Sequence, residues 1–177
     1  MSVDRAALAT HIKEVAYLTG QFTLRSGAIS SFHWDKYRFE SDPSILATVA
    51  EGLAEIVPPA YDTLAGLELG GIPLATALSL KTGKACLYVR KAAKPYGTSN
   101  LVEGGYQPGT RAVVIEDVIT SGGQVCISVQ QMRELGFVVD DVVCVIDRQQ
   151  GGRAAIEALG CALHSLFTLE ELEALAG

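Results

Sequence analysis

Residues 111–123 read RAVVIEDVITSGG, and this stretch decides the fold. Ala112–Ile115 is an unbroken apolar run rich in β-branched residues, which is typical of a strand buried on both faces of a parallel sheet. Small residues follow, and Gln124–Glu134 has the pattern of a helix. A buried strand, a tight turn and a helix together form one unit of an α/β fold.

The turn between this strand and this helix has the features of a sugar-phosphate site. A small-residue turn that opens a helix, here Thr120–Gly123, presents free N–H groups and the positive end of the helix dipole, which favour phosphate. Glu116 and Asp117 stand where the strand should emerge. Two carboxylates repel a bare phosphate, but they suit a ligand that also offers ribose hydroxyls or carries a metal. An ordinary turn with a Ser or Thr cap leaves the paired acids unexplained.

Two common phosphate motifs do not fit this turn. A P-loop requires a lysine after its last glycine, whereas Gln124 and Val125 follow Gly123. A dinucleotide fingerprint places its acidic residue well after the glycines, whereas here the acids precede them. The stretch therefore predicts a different phosphate site, at the carboxyl end of a parallel strand.

The rest of the chain alternates helices and strands. Helices are predicted over 4–18, 42–56, 72–82, 124–134 and 169–176, and core strands over 63–66, 85–89, 111–115, 138–146 and 162–167. The polar-aromatic segment 22–39 is predicted to be a small accessory region before the main sheet. This order predicts a single α/β domain over 1–177, with a doubly wound, mostly parallel central sheet flanked by helices.

A long basic segment separates two of the predicted strands. It carries Arg90, Lys91 and Lys94 together with several Gly and Pro residues. A segment of this length is either a solvated basic loop or a mobile arm whose cations close over a polyphosphate and exclude water.

Four segments resemble motifs of the type I phosphoribosyltransferases, and specifically of the orotate phosphoribosyltransferases. The stretch 111–123 resembles the binding motif for phosphoribosyl pyrophosphate (PRPP), and Phe22–Gly27 (FTLRSG) the amino-terminal orotate-side motif. Arg90–Thr98 (RKAAKPYGT) resembles the mobile catalytic loop, and Asp147–Gly152 (DRQQGG) the distal base-side motif. The four segments occur in the family's order. Because they are spread from Phe22 to Gly152, the resemblance covers nearly the whole chain.

This resemblance implies a reaction and an assembly. The reaction is Mg²⁺-dependent transfer of ribose 5-phosphate from PRPP to orotate, giving orotidine 5′-monophosphate and pyrophosphate in pyrimidine biosynthesis. The fold is the type I phosphoribosyltransferase fold, with an N-terminal hood over about residues 1–40. The protein is expected to form a homodimer in which a mobile loop, residues 90–109, completes the neighbour's active site.

The resemblance also implies site residues. The PRPP-binding set is Arg90, Lys91, Lys94, Tyr96, Glu116, Asp117, Val118, Ile119, Thr120, Ser121, Gly122, Gly123 and Gln124. Within it, Lys91, Lys94 and Asp117 are the catalytic candidates. The orotate-binding set is Arg25, Thr120 and Arg148, and the aromatic residues Phe32, His33 and Trp34 align with a stretch near the base. No direct metal ligand is expected, because PRPP itself would hold most of the magnesium.

A physical argument also supports Arg148 as a contact for the carboxylate of orotate. It follows a predicted buried strand, and a guanidinium can donate two parallel hydrogen bonds to a planar carboxylate such as that of orotate. The local alternative is a surface ion pair with Asp147. The resemblance favours the orotate contact.

Two positions depart from the family pattern. Tyr96 stands where many members have His, and a tyrosine donates a hydrogen bond but supplies no cation near neutral pH. Gly70 stands where many relatives carry Lys. One phosphate contact is then missing or is supplied by backbone N–H groups of residues 69–71.

Bulk properties restrict the function classes. A net charge of −6 argues against a general nucleic-acid or membrane-surface binder, and no apolar run approaches the ~20 residues of a membrane span. The first ten residues lack a signal-peptide core. The four cysteines lie in apolar surroundings and match no metal motif, which predicts buried reduced thiols and a cytoplasmic protein. His11 and His164 lack a catalytic partner at a telling spacing and are read as structural.

Two rival functions remain open. A phosphoribosyltransferase for a purine or for uracil would not need carboxylate-binding arginines. A PRPP-sensing regulator would have kept the binding site and lost turnover, but such a protein usually needs a basic nucleic-acid surface.

Overall fold

The computed structural model describes residues 2–23, 27–92 and 100–177. In chain order the elements are α1 (Arg5–Ala16), β1 (Tyr17–Thr23), β2 (Ile29–Trp34), α2 (Tyr37–Glu40), α3 (Pro43–Ile56), β3 (Thr63–Leu67), α4 (Gly71–Thr82), β4 (Ala85–Val89), β5 (Val102–Glu103), β6 (Arg111–Ile119), α5 (Gly123–Glu134), β7 (Val138–Asp147), α6 (Gly152–Ala158), β8 (Ala162–Thr168) and α7 (Leu169–Ala176).

The central sheet has the strand order β5-β4-β3-β6-β7-β8. Its strands are parallel except for β5, which pairs antiparallel with β4. Alternate side chains of β6 face opposite sides of the sheet, as the period of two requires. Val113 and Ile115 pack with α1, α3, α4 and α7, whereas Ala112 and Val114 pack with α5 and α6. The predicted doubly wound α/β fold is confirmed.

Helix α3 begins where the sequence predicts. The Asp42 Oδ1 atom accepts hydrogen bonds from the backbone N–H groups of Ser44 and Ile45, at 2.9 and 3.1 Å. Pro43 occupies the first turn, where its missing N–H costs no hydrogen bond. The cap and the proline therefore fix this helix start locally.

The amino-terminal region combines a core helix with a small hairpin. Helix α1 ends at Ala16, two residues before the predicted end, because Tyr17 begins β1. Strands β1 and β2 form an antiparallel pair of their own, separate from the central sheet. The short helix α2 follows and carries Phe39 and Glu40 into the interior. The predicted accessory region is thus a hairpin with one helical turn.

Two expectations about the central strands need correction. Strand β6 extends to Ile119, four residues beyond its predicted end, because Val118 and Ile119 still pair with β7. Glu116 and Asp117 therefore lie within the strand rather than after it. The predicted loop over 90–109 contains strand β5, and residues 93–99 of that loop lie outside the described residues. Helix α6 was not predicted, because only Gly152 and Ile156 of it are buried and the apolar pattern is short.

Candidate active site

The turn after β6 forms a cradle for an anion. It encloses a cavity of about 200 Å³ lined by Glu116, Val118, Ile119, Thr120, Ser121, Gly122, Gly123, Gln124 and Val125. Among the described residues no side chain caps the start of helix α5, so its first backbone N–H groups remain available to a ligand. The residues predicted to hold phosphate are therefore brought together at the positive end of a helix dipole.

Gly122 is required in this cradle for two reasons. Its φ is 75°, in the left-handed region, and a Cβ there would lie 3.1 Å from the Cα of Gly152. The Gly152 N–H donates to the Thr120 carbonyl at 2.9 Å, and the Arg148 N–H donates to the Ile119 carbonyl at 2.9 Å. These contacts join the segment predicted to bind the base to the segment predicted to bind PRPP.

The paired acids are buried to different degrees and carry different charges. Asp117 is fully buried, and the Lys36 Nζ atom lies 2.5 Å from its Oδ2 atom. Burial alone would raise the pKa of Asp117, but hydrogen bonds with Glu116 and Lys36 outweigh burial and lower it. Burial raises the pKa of Glu116 well above its usual value, and the neighbouring Asp117 charge raises it further. Asp117 is therefore the ionised member of the pair.

A third carboxyl group, Glu40, lies against Asp117 and was missed by the sequence analysis. Burial raises the pKa of Glu40 to about 9, and the Asp117 charge adds to this shift. Within the described residues, the buried Oε1 atom of Glu40 lacks a hydrogen-bond partner, whereas Asp117 Oδ2 has the Lys36 ammonium group. Both oxygens face Gly70, so a proton held by Glu40 lets the two carboxyls form one hydrogen bond.

A second cavity adjoins the cradle and has the size of a nucleobase site. Its volume is about 280 Å³, and its lining is mainly apolar: Trp34, Lys36, Phe39, Val118, Thr120, Ile146, Arg148 and Leu169. Val118 and Thr120 line both cavities, so the two open on the same turn. Arg148 and Thr120, predicted to bind orotate, are therefore brought together.

Asp147 does not pair with the Arg148 side chain. Its carboxylate is 2% exposed, lies 3.2 Å from the Arg153 guanidinium and accepts the Gln149 N–H at 2.9 Å. In the described part of the chain, the Arg148 guanidinium makes no ion pair or hydrogen bond. The local alternative of an Asp147–Arg148 ion pair is thereby removed, and this guanidinium is available to a ligand.

Comparison with known proteins identifies the family. No protein-family model matches the chain. The orotate phosphoribosyltransferase of Nocardioides sp. is 47% identical over 174 residues, which cover 98% of this chain and 97% of that protein. That of Methanocaldococcus jannaschii is 38% identical over 170 residues, covering 96% and 97%. The chain belongs to the orotate phosphoribosyltransferase family.

Solved structures of this family agree in fold. The orotate phosphoribosyltransferase of Mycobacterium tuberculosis in complex with Fe(III) dicitrate matches with a TM-score of 0.87 and 32% identity, over 96% of this chain and 98% of that one. The same enzyme in complex with PRPP matches with a TM-score of 0.82 and 30% identity, over 96% and 99%. An adenine phosphoribosyltransferase at 19% identity and a TM-score of 0.70 shares the fold alone.

The aromatic stretch that aligns with this family divides into one cavity residue and two hairpin residues. Trp34 lines the base-sized cavity. The ring of Phe32 stacks on Tyr17 with centroids 5.3 Å apart, and the ring of His33 lies 5.5 Å from that of Phe22. Of these three aromatic residues, Trp34 is the one that lines this cavity.

The cations of the predicted catalytic loop are described only in part. Arg90 follows β4, and its Nε atom lies 3.2 Å from the Glu103 carboxylate. It lines a separate cavity of about 360 Å³, whose lining shares no residue with the cradle. Lys91 is exposed. Arg25, Lys94 and Tyr96 lie outside the described residues, so their roles stay predictions.

The cysteines follow the sequence-based expectation only in part, whereas His164 agrees with it. All four cysteines are free thiols, but only Cys144 and Cys161 are buried, whereas Cys86 and Cys126 are half-buried. His164 pairs with Asp141 at 2.8 Å, as expected for a structural residue. In the ranges 2–23, 27–92 and 100–177, no helix has the length and apolarity needed to cross a membrane.

Proposed function

We propose that this protein catalyses the transfer of ribose 5-phosphate from PRPP to orotate, giving orotidine 5′-monophosphate and pyrophosphate. The observation that carries the proposal is the junction at Thr120 between a phosphate cradle and a base-sized cavity that contains the Arg148 guanidinium, which has no partner among the described residues. Membership of the orotate phosphoribosyltransferase family supports it independently.

The cradle accounts for the sugar-phosphate half of PRPP. Backbone N–H groups from Val118 to Gln124 receive the 5′-phosphate at the start of α5. Asp117 is fully buried and lines neither cavity, so it is proposed to accept hydrogen bonds from the ribose hydroxyls only once PRPP binding exposes its carboxylate. Glu116, whose pKa is raised by burial, both accepts and donates as a neutral acid. With one carboxyl group ionised and the other neutral, the site does not place two negative charges beside a phosphate.

The base-sized cavity accounts for orotate. The Arg148 guanidinium takes the carboxylate through two parallel hydrogen bonds, and Thr120 contacts the ring beside the ribose. Arg25 is proposed as a further orotate contact on the FTLRSG resemblance. The apolar walls exclude water from the reacting carbon, which protects an oxocarbenium-like centre from hydrolysis.

The loop cations are proposed to clamp the leaving pyrophosphate. Arg90, Lys91 and Lys94 stabilise its developing negative charge, while Tyr96 donates a hydrogen bond. The separation of the Arg90 cavity from the cradle favours a loop that serves the neighbouring subunit of a homodimer. The assembly and the loop's mobility remain proposals.

Magnesium fits this site when the substrate supplies most of its ligands. Carboxylate oxygens such as those of Glu116 and Asp117 are the hard ligands that magnesium prefers. However, Asp117 is already ion-paired with Lys36, and the described residues include no group of three His, Cys, Asp or Glu side chains able to hold a metal. Neither acid is therefore proposed as a direct ligand, and the oxygens of the substrate would hold the hydrated ion. When bound, the ion neutralises charge on pyrophosphate and ribose oxygens.

A cytoplasmic location and the absence of a nucleic-acid partner stay predictions. Four free cysteines suit a reducing compartment, and the net charge of −6 does not suit a phosphate backbone.

The first test is the loss of orotate absorbance in the presence of PRPP, with and without Mg²⁺. Adenine, hypoxanthine and uracil serve as control bases. Magnesium-dependent loss of orotate alone is the expected result. Turnover of another base instead would reject the proposed role of Arg148, and PRPP binding without any turnover would favour a sensing protein.

A further inference from the structure

Lys36 is a cation of the base-sized cavity that lies outside the four motifs. It follows β2 and immediately precedes α2, and its side chain is 35% exposed. It borders the same cavity as Arg148 and Thr120, among walls that are otherwise apolar. The cavity thus contains two cationic side chains, although a neutral base would require none, and placing a cation at an apolar wall costs desolvation free energy.

The Lys36 ammonium group is fixed in position and keeps donors for a ligand. Its Nζ atom lies 2.5 Å from Asp117 Oδ2 and 5.2 Å from the centroid of the Tyr37 ring. An ammonium group has three N–H donors, and among residues 2–23, 27–92 and 100–177 its one ion-pair partner is Asp117. The Asp117 contact holds the group next to the point where the proposed ribose meets the base.

Residue 70 has no side chain that could compete with Lys36 for the position beside Asp117. A Cβ at Gly70 would lie 1.6 Å from Asp117 Oδ2, the same oxygen that pairs with Lys36, and 3.0 Å from Glu40 Oε1. No side chain fits there unless Asp117 moves. The ammonium group beside Asp117 therefore comes from residue 36 and not from residue 70.

We infer that Lys36 is an additional orotate-binding cation, which donates to the ring carbonyl beside the attacking nitrogen while Arg148 holds the carboxylate. In orotate that nitrogen is flanked by the carboxylate-bearing carbon on one side and by a ring carbonyl on the other. The two cations that line this cavity match these two acceptors in number and charge. The inference rests on the proposed reaction and adds the residue that sets the orientation of the ring.

The test uses Trp34, the one tryptophan of the chain, which lines the same cavity and reports its occupancy by fluorescence. Orotate is titrated into the wild type, Lys36→Met and Lys36→Arg, and KM for each substrate is measured separately. We expect Lys36→Met to weaken orotate binding by about tenfold or more and to raise KM for PRPP by a smaller factor, because Asp117 loses its ion-pair partner. Lys36→Arg keeps the charge and the Asp117 pair, and should recover most of the affinity.

Lys81→Met is the matched control, because Lys81 forms an exposed ion pair with Glu51 on another surface. Thermal unfolding distinguishes misfolding from loss of a contact, and if Lys36→Met does not fold, Lys36→Gln replaces it. A folded variant with unchanged orotate affinity, or one that loses PRPP affinity alone, overturns the inference. Absence of orotate turnover in the wild type would instead reject the proposed function itself.

Discussion

Arg148 is the residue on which base selection depends, because its neighbour Asp147 is paired with Arg153 and leaves the guanidinium to the ligand. Replacement by Met should lower kcat/KM for orotate by about 10- to 100-fold, since hydrogen bonds to a charged group contribute about 1.5–3 kcal/mol. KM for PRPP should change little. Steady-state kinetics with each substrate varied in turn measures both effects.

Arg111→Met is a suitable control for this prediction. Arg111 begins the neighbouring strand β6 at the opposite edge of the sheet, where it is exposed and pairs with Asp140. An exposed ion pair contributes little to stability, so this variant should retain the wild-type constants. Equal losses in both variants would show that the effect of Arg148 is not specific.

Position 70 must be glycine, because any side chain there would collide with the Asp117 carboxylate. Gly70→Ala would place a Cβ 1.6 Å from Asp117 Oδ2, so the carboxylate must move away from Lys36. We expect kcat/KM for PRPP to fall by about tenfold or more, with a lower Tm. Lys81→Met is the control, because Lys81 forms an exposed ion pair with Glu51 on another surface. Wild-type kinetics for Gly70→Ala would show that Asp117 does not have to stay in place.

Glu40 makes stability depend on pH in a predictable direction. Its pKa is raised to about 9 by burial and by Asp117, whereas an unfolded Glu titrates near 4.3. Below about pH 4 both states are protonated. As pH rises towards 9 the unfolded state ionises first, so stability contributed by the neutral acid is progressively lost.

Glu40→Gln removes this dependence while keeping the shape of the neutral acid. The free energy of unfolding of the variant minus that of the wild type should increase by about 2 kcal/mol between about pH 5.5 and 7.5. Urea unfolding in magnesium-free buffer at fixed protein concentration measures it. The exposed Glu51→Gln, whose pKa is lowered by its hydrogen bond with Lys81, serves as the control. A constant advantage across this range would mean that Glu40 is ionised in the folded protein.

At the scale of elements, the start of α5 is the proposed phosphate anchor. Its first turn has no side-chain cap, and Ser121 is exposed just before it. Ser121→Asp places a negative charge at the cradle and should raise KM for PRPP by about tenfold or more, with a smaller effect on KM for orotate. Gln130→Asp adds the same charge to an exposed position two turns further along α5. Equal effects of the two variants would point to net charge and not to the cradle.

At the scale of the whole molecule, the proposed homodimer predicts complementation. If the loop completes the neighbour's site, Lys91→Ala combined with Lys94→Ala disables one half of each shared site, and Asp117→Asn disables the other half. Mixing equal amounts of the two inactive proteins, with unfolding and refolding together, should restore about a quarter of wild-type activity. Analytical ultracentrifugation checks that hybrid dimers form. Mixtures that stay inactive although hybrids form would show that each subunit completes its own site.

The sequence by itself determined the features that depend on local patterns. The apolar run Ala112–Ile115, the Asp42-Pro43 helix start and the glycines of the cradle predicted a doubly wound sheet with a phosphate site. Periodicity, capping and turn chemistry act over a few residues, so they can be recognised in one chain. The end of β6 was placed too early because its last pairs are supplied by β7, a contact that its own residues do not specify.

Only the tertiary structure decided which distant residues share the site. Lys36 and Glu40 contact Asp117 because α2 packs beside the carboxyl end of β6. The local sequence of 36–40 does not predict this contact, because Asp117 lies 77 residues further along the chain. Packing of α6 against β7 pairs Asp147 with Arg153, so that among the described residues Asp147 does not pair with Arg148. Charge states and partners in a buried cluster follow from desolvation and from contacts between elements, and both of these arise only when the sheet is assembled.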